Sequence, residues 1–87
     1  MKLNKHFLVH NTGRETILVP SGEAEFSGVV RGGRTFGVLL ELLNKGDSTE
    51  EELAAAMRAR FDAPEGVIEQ DIAQTLGELR KIGAIDE

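Results

Sequence analysis

Cysteine is absent from this 87-residue chain, which excludes a disulfide framework and any thiolate metal site. No apolar run approaches the roughly 20 residues that a membrane-spanning helix needs. The amino end, Met1-Lys2-Leu3-Asn4-Lys5-His6, is basic, but only Phe7-Leu8-Val9 follows, too short for the apolar region of a secretory signal. Together these absences predict a soluble cytoplasmic protein with no membrane partner.

Catalytic and cofactor motifs are missing too. Ser21, Ser27 and Ser48 lack the Gly-x-Ser-x-Gly setting of an activated nucleophile. His6 and His10 lie four apart in an extended pattern, where they would share a face but stand about 13 Å from one another, too far for one metal ion. Glu50, Glu51 and Glu52 sit at a helix start, where acids have a structural role, and no reacting partner lies near them in sequence. Gly28-Val29-Val30-Arg31-Gly32-Gly33 is Gly-rich and precedes a helix, yet it has neither a Gly-Lys-Ser/Thr end nor Gly-x-Gly-x-x-Gly spacing. A strand-to-helix turn accounts for its glycines. The expectation is no enzyme activity, no cofactor and no metal.

What is present is enough for one domain, residues 1–87, with a modest core. Hydrophobic residues make up 40% and charged residues 29%, the balance of a folded globular chain. Phe7-Leu8-Val9-His10 and Thr16-Ile17-Leu18-Val19 are short strand-like runs around the polar Asn11-Thr12-Gly13-Arg14-Glu15, which signals a hairpin. Pro20 stops the second strand, because proline brings no ladder N–H. Glu25 to Arg31 supplies a third strand, clearest at Gly28-Val29-Val30-Arg31, and Gly32-Gly33 ends it.

From Thr35 the period changes to that of helices. Phe36, Leu39, Leu40 and Leu43 mark the first, closed by Asn44-Lys45-Gly46 with Gly46 suited to a left-handed end. Thr49-Glu50-Glu51-Glu52 is a capping box for the second, whose buried stripe is Leu53, Met57 and Phe61 beside Ala54 and Ala56. The third starts at Asp62-Ala63-Pro64-Glu65, with Pro64 in its first turn. Ile68, Ile72, Leu76, Leu79 and Ile82 repeat along it, and Gly83 stops it so that Ala84-Ile85 can tuck back. The fold class predicted is α+β: a winged helix-turn-helix-like order of a three-stranded antiparallel sheet followed by three helices.

Charge separates the possible partners of such a fold. Residues 1–46 hold six bases and four acids, a balance of +2, whereas residues 47–87 hold four bases and eleven acids, a balance of −7. A DNA-reading third helix would need exposed Arg, Asn and Gln; this one carries Glu65, Glu69, Asp71 and Glu78 against Arg80 and Lys81, with Gln70 and Gln74 as its only amides. Nucleic acid is therefore disfavoured as a partner.

Glu41-Leu42-Leu43 leading to Gly46, then Thr49-x-Glu51-Glu52-Leu53 and Arg60-Phe61-Asp62, form an ordered set of motifs. It continues through Asp71-Ile72-x-x-x-Leu76-x-x-Leu79 to Ile82-Gly83-Ala84-Ile85. At these spacings the chain resembles the PqqD-like family over nearly its whole length, from Phe7 to Ile85. Departures are Gly32-Gly33-Arg34-Thr35, where the family commonly has Leu-Asn-Glu-Thr, and Leu40 and Thr75, where it often has aromatics. The resemblance implies a noncatalytic recognition element that binds the leader segment of a ribosomally synthesised precursor peptide. The leader would add as an extra strand beside the third strand, against the third helix, and be presented to a modifying enzyme, frequently a radical S-adenosylmethionine (radical SAM) protein.

On this chain the candidate edge is Gly28, Val29, Val30 and Arg31. The border of the third helix holding Glu69, Ala73, Leu76 and Arg80, with Ile72 nearer the apolar centre, is the candidate groove wall. Arg80 would pair with an acidic residue of the leader, and Ile72 and Leu76 have core positions as their alternative reading. A monomer or weak homodimer is expected. Two other functions stay open: an adaptor that docks on a protein without any leader peptide, and a winged-helix DNA-binding regulator.

Overall fold

The computed structural model describes all residues, Met1–Glu87. A hairpin of β2 (Phe7–Asn11) and β3 (Thr16–Pro20) pairs antiparallel from Phe7↔Pro20 to Asn11↔Thr16. Its tip is held locally: the Asn11 Oδ1 accepts from the Gly13 N–H at 2.8 Å, and the Thr12 Oγ1 accepts from the Glu15 N–H at 3.1 Å. β4 (Val30–Gly32) pairs antiparallel with β3 through Leu18↔Val30, Ile17↔Arg31 and Thr16↔Gly32, giving the sheet order β2-β3-β4. The three-stranded antiparallel sheet and the three helices after it are the architecture expected.

The third strand is shorter than Glu25–Arg31 and shifted one residue later. β3 presents alternate residues to β4, and the position after Leu18 on that side is Pro20, which has no N–H to donate. Opposite it the chain turns at Gly28, whose φ of +122° a side chain would resist. Pairing therefore stops at Leu18↔Val30.

Three helices follow: α1 (Arg34–Lys45), α2 (Glu50–Arg60) and α3 (Val67–Lys81). In α1, Leu39, Leu40 and Leu43 are buried and Phe36 is half-buried, as the spacing predicts. Gly46 after it is extended, with φ +158° and ψ −171°, and is not left-handed α. The α2 capping box forms in full: the Thr49 hydroxyl accepts from the Glu52 N–H at 3.1 Å, and the Glu52 carboxylate accepts from the Thr49 N–H at 2.9 Å.

The third helix begins later than Pro64. Pro64 to Gly66 form a turn, the Val67 N–H reaching the Pro64 carbonyl at 3.2 Å, and Gly66 at φ +86° caps the helix. Its far end closes with the Ala84 N–H on the Leu79 carbonyl (2.9 Å) and the Gly83 N–H on the Arg80 carbonyl (3.1 Å), a Schellman pair that drives Ala84 into the core.

A second, two-stranded sheet joins β1 (Lys2–Leu3) to β5 (Ile85–Asp86), pairing Lys2↔Asp86 and Leu3↔Ile85. Two-residue strands show no alternation, so nothing in the sequence announced them. The Asn4 amide ties them further, its Nδ2 donating to Asp86 at 2.9 Å.

Thirteen buried apolar side chains, from Leu3 to Ala84, make one core between the helices and the inner face of the sheet. The outer face is different. Leu8 lies opposite Val19, and by continuing the register Val29 follows in the same row, while Ile17 sits in the next row between His10 and Arg31. None of these four apolar residues packs against the core, and Leu8 and Val29 are 62% and 49% exposed. No helix is long and apolar enough to cross a membrane.

Candidate peptide-binding groove

Ladder polarity decides which backbone groups are free at the β4 edge. The Glu15 carbonyl accepts from the Thr12 N–H at 2.9 Å and the Ser21 N–H donates to the His6 carbonyl at 2.7 Å, so odd-numbered residues of β3 bond to β2. Even-numbered residues then bond to β4, because the N–H and C=O of one strand residue point the same way. Leu18 and Thr16 thus engage Val30 and Gly32. The backbone groups of Arg31 therefore face away from the sheet and have no ladder partner.

Side chains on this edge alternate in the other sense. Val30 is half-buried on the inner side. Arg31 points to the outer face, where its guanidinium contacts the Glu15 carboxylate at 3.2 Å. Gly32 lets the chain pass close to α1: a Cβ there would lie 2.5 Å from the Phe36 side chain.

Beside this edge α3 stands off, leaving a cleft of about 260 Å³ lined by Val30 and Phe36 on one side and Thr75, Glu78, Leu79, Lys81 and Ile82 on the other. At its α1 end the cleft meets a second pocket, also of about 260 Å³, lined by Phe36, Leu39, Met57, Phe61, Ile68 and Ile72 together with Thr35, Asp71, Gln74 and Thr75. Phe36 and Thr75 belong to both. The Arg34 guanidinium lies 5.3 Å from the centroid of the Phe61 ring, a cation–π contact at the wall of this second pocket. At the other end, Lys81 and Ile82 connect the cleft to a wider, more polar hollow that includes Phe7, Phe26 and Arg80.

The residues singled out from sequence fall in two places. Gly28, Val29, Val30 and Arg31 do lie at the free edge, with Gly28 in the turn before the strand. Glu69, Ala73, Leu76 and Arg80 do not line the cleft, although Arg80 lines the polar hollow at its end. The Glu69 carboxylate is bound by Arg58 of α2 at 2.7 Å, and the Arg80 Nε donates to Glu87 at 2.6 Å. Leu76 is fully buried, Ile72 is core with one side on the inner pocket, and Ala73 is exposed.

The residues of α3 and its end that line the cleft beside Val30 are Thr75, Glu78, Leu79, Lys81 and Ile82. A helix sequence locates its apolar centre, but which flank meets a given strand depends on packing between elements.

Asp47 is held below its ordinary 3.8 by a hydrogen bond from the amino terminus and by that amine's charge. It lies outside the groove.

No curated protein matches the sequence. A solved structure described as TbiB1 in complex with the TbiA(beta) leader peptide superposes with a TM-score of 0.75, covering 99% of this chain and 100% of that one at 19% identity, a likeness of fold. The family model for coenzyme PQQ synthesis protein D (PqqD) matches residues 28–85, from the turn before β4 to β5. That match takes in more than half of the chain, and the protein belongs to the PqqD family.

Proposed function

We propose that this protein is a noncatalytic recognition module that binds the leader segment of a ribosomally synthesised precursor peptide by strand addition at β4. The observation that carries this reading is the outward, unpaired backbone of Arg31 on an edge strand whose Val30 lines an apolar cleft beside α3. A guest strand would satisfy those backbone groups, and its alternate side chains would enter the cleft. The fold shared with a leader-bound protein supports the same reading. Gly28, Val29, Val30 and Arg31 are the strand-side contacts proposed, with Thr75, Glu78 and Ile82 opposite.

Binding alone changes no bond, so the reading includes a modifying enzyme that receives the presented peptide, with radical SAM chemistry the class the family resemblance favours. No motif or displaced acid–base group suggests that the module performs the modification itself. A cytoplasmic location suits a cysteine-free chain.

The test is an amide NMR titration with leader peptides from precursor-like reading frames neighbouring the gene. The largest shifts are expected at Val29, Arg31, Thr75 and Ile82, with Arg58 and Glu69 unmoved. Shifts confined to the Glu69–Ala73–Arg80 border would overturn the groove assignment.

A further inference from the structure

We infer that the edge at β2, on the side of the sheet opposite β4, is a self-association surface that takes the β2 strand of a second copy of this chain about a two-fold axis. Ladder polarity again settles which groups are free. Odd-numbered residues of β3 bond to β2, so Leu8 and His10, which lie opposite Val19 and Ile17, use their backbone groups on β3. Val9 and Asn11 then point theirs away from the sheet, and no loop or helix satisfies them. The free run stops toward Phe7, whose N–H is already taken by the Asn4 carbonyl at 3.1 Å.

Three observations favour a copy of the same chain as the occupant. The edge lacks the devices that keep strands apart, because Phe7-Leu8-Val9-His10-Asn11 has no Lys, no Pro and no carboxylate. It is also self-complementary. With Val9 opposite the partner's Asn11 in an antiparallel pair, every free N–H and C=O of both residues finds a partner on both sides of the axis. His10 then faces the partner's His10 as a non-hydrogen-bonded pair, with Cα atoms about 4.5 Å apart. Setting Val9 opposite the partner's Val9 instead would leave the Asn11 carbonyl facing a Phe7 N–H that is already engaged.

Charge is the third. Beside the edge α1 leaves a hollow of about 360 Å³ that is polar where the β4 cleft is apolar, lined by Val9 and Asn11 of the strand and by Glu41, Asn44 and Lys45 of the helix. Glu41 and Lys45 are exposed and one turn apart, their charges 3.5 Å from each other. A two-fold axis reverses the partner's α1, so the acid of each helix comes to the side of the other's base. The pairing joins two three-stranded sheets into one and leaves both β4 edges free at its ends.

The absence of cysteine makes the test direct, because one introduced thiol can cross-link only two copies. Purified His10→Cys protein in a glutathione redox buffer should form a disulfide-linked species of twice the 9.5 kDa monomer. It should do so roughly 10-fold faster than Val29→Cys, an exposed site at the other edge, because pairing holds the thiols within bonding reach. In sedimentation equilibrium the wild type should dimerise as its concentration rises. Val9→Pro removes an outward N–H and no bond to β3, and should weaken the dimer by roughly 10- to 100-fold. Glu41→Lys, which sets like charges against the partner's Lys45, should weaken it as well, and adding Lys45→Glu should restore it; this pair keeps the test open if Val9→Pro fails to fold.

A wild type that stays monomeric, with His10→Cys no faster than Val29→Cys, overturns the inference. A dimer indifferent to both Val9→Pro and Glu41→Lys overturns the β2 edge as its seat, and cross-linking at Val9→Cys in place of His10→Cys overturns the register. Shifts of the Val9 and Asn11 amides when a leader peptide is added to a monomeric protein would give this edge to a peptide and overturn the second copy. None of these outcomes touches strand addition at β4, which its own titration reads.

Discussion

Gly37 lies in the first turns of α1, where an alanine would ordinarily favour the helix by about 1 kcal/mol. Here a Cβ would run into the hydroxyl of Thr16, a buried residue of β3, and come within 3.3 Å of its Cβ. Overpacking of this kind costs about 1–3 kcal/mol. Gly37→Ala should therefore lose about 1–2 kcal/mol in urea unfolding, and much of that loss should vanish in a Thr16→Ala background, where the crowding hydroxyl is gone. A Gly37→Ala protein more stable than wild type would show that helix preference outweighs the contact.

Asp47 gives a second single-residue expectation. Its carboxylate accepts from the terminal amine of Met1 at 2.9 Å, and the Met1 backbone also exchanges hydrogen bonds with Ser48. A carboxyl whose folded pKa is depressed adds stability above its unfolded value and loses it as pH falls through the folded one. The contribution is therefore present at neutral pH and fades below the ordinary 3.8. An NMR titration of the Asp47 carboxyl should find its midpoint below that value, returning to it when the amine is acetylated. A midpoint unmoved by acetylation would mean that the amine is not the cause.

Among the elements, β4 is where ladder polarity has consequences that composition hides. Val30 and Arg31 are adjacent, but their N–H groups point opposite ways. Val30→Pro removes a bond to β3 and leaves the Leu18 carbonyl unpaired, an expected loss of about 2–3 kcal/mol of stability. Arg31→Pro places the ring on the outward side, where an edge strand tolerates it, and loses only an exposed ion pair to Glu15, worth about 0–1 kcal/mol. Urea melts should separate the two. Equal destabilisation by both would refute the register.

The same contrast marks what the sequence disclosed. Helices α1 and α2 were legible because long apolar periods and the Thr49–Glu52 box are local signals. The hairpin was legible from its polar turn. The start of α3 was misplaced because Pro64 suits a first turn as well as it suits the loop before one, and the choice fell to Gly66. β1 and β5 are too short to leave a pattern, and their pairing joins residues more than eighty positions apart. Gly28 to Arg31 lie at the sheet edge that the sequence suggested, whereas the α3 residues lining the cleft beside it include Thr75, Glu78 and Ile82, a flank that only the packing of three elements determines.

Over the whole molecule, charge and shape divide the work. The acidic balance of −7 in residues 47–87 belongs to α2, α3 and their flanks, where Glu50, Glu51 and Glu52 stabilise a helix start and Glu69 ties α3 to α2. The sheet half is nearly neutral by comparison, at +2, and it carries both edge strands of the three-stranded sheet, β2 and β4. The cleft between β4 and α3 brings the two halves together, with Glu78 and Lys81 beside its apolar residues.

The outer face of the sheet adds one more consequence. Leu8 and Val19 pair on the outer face, and exposed Val29 lies just before β4 at the sheet edge. A fourth strand laid on that edge would send half of its side chains into the groove and the other half outward, extending the outer face by a strand width, about 4.8 Å. Empty and occupied molecules would then differ on the side opposite the pocket, so a third molecule touching that side could tell them apart without ever entering the groove.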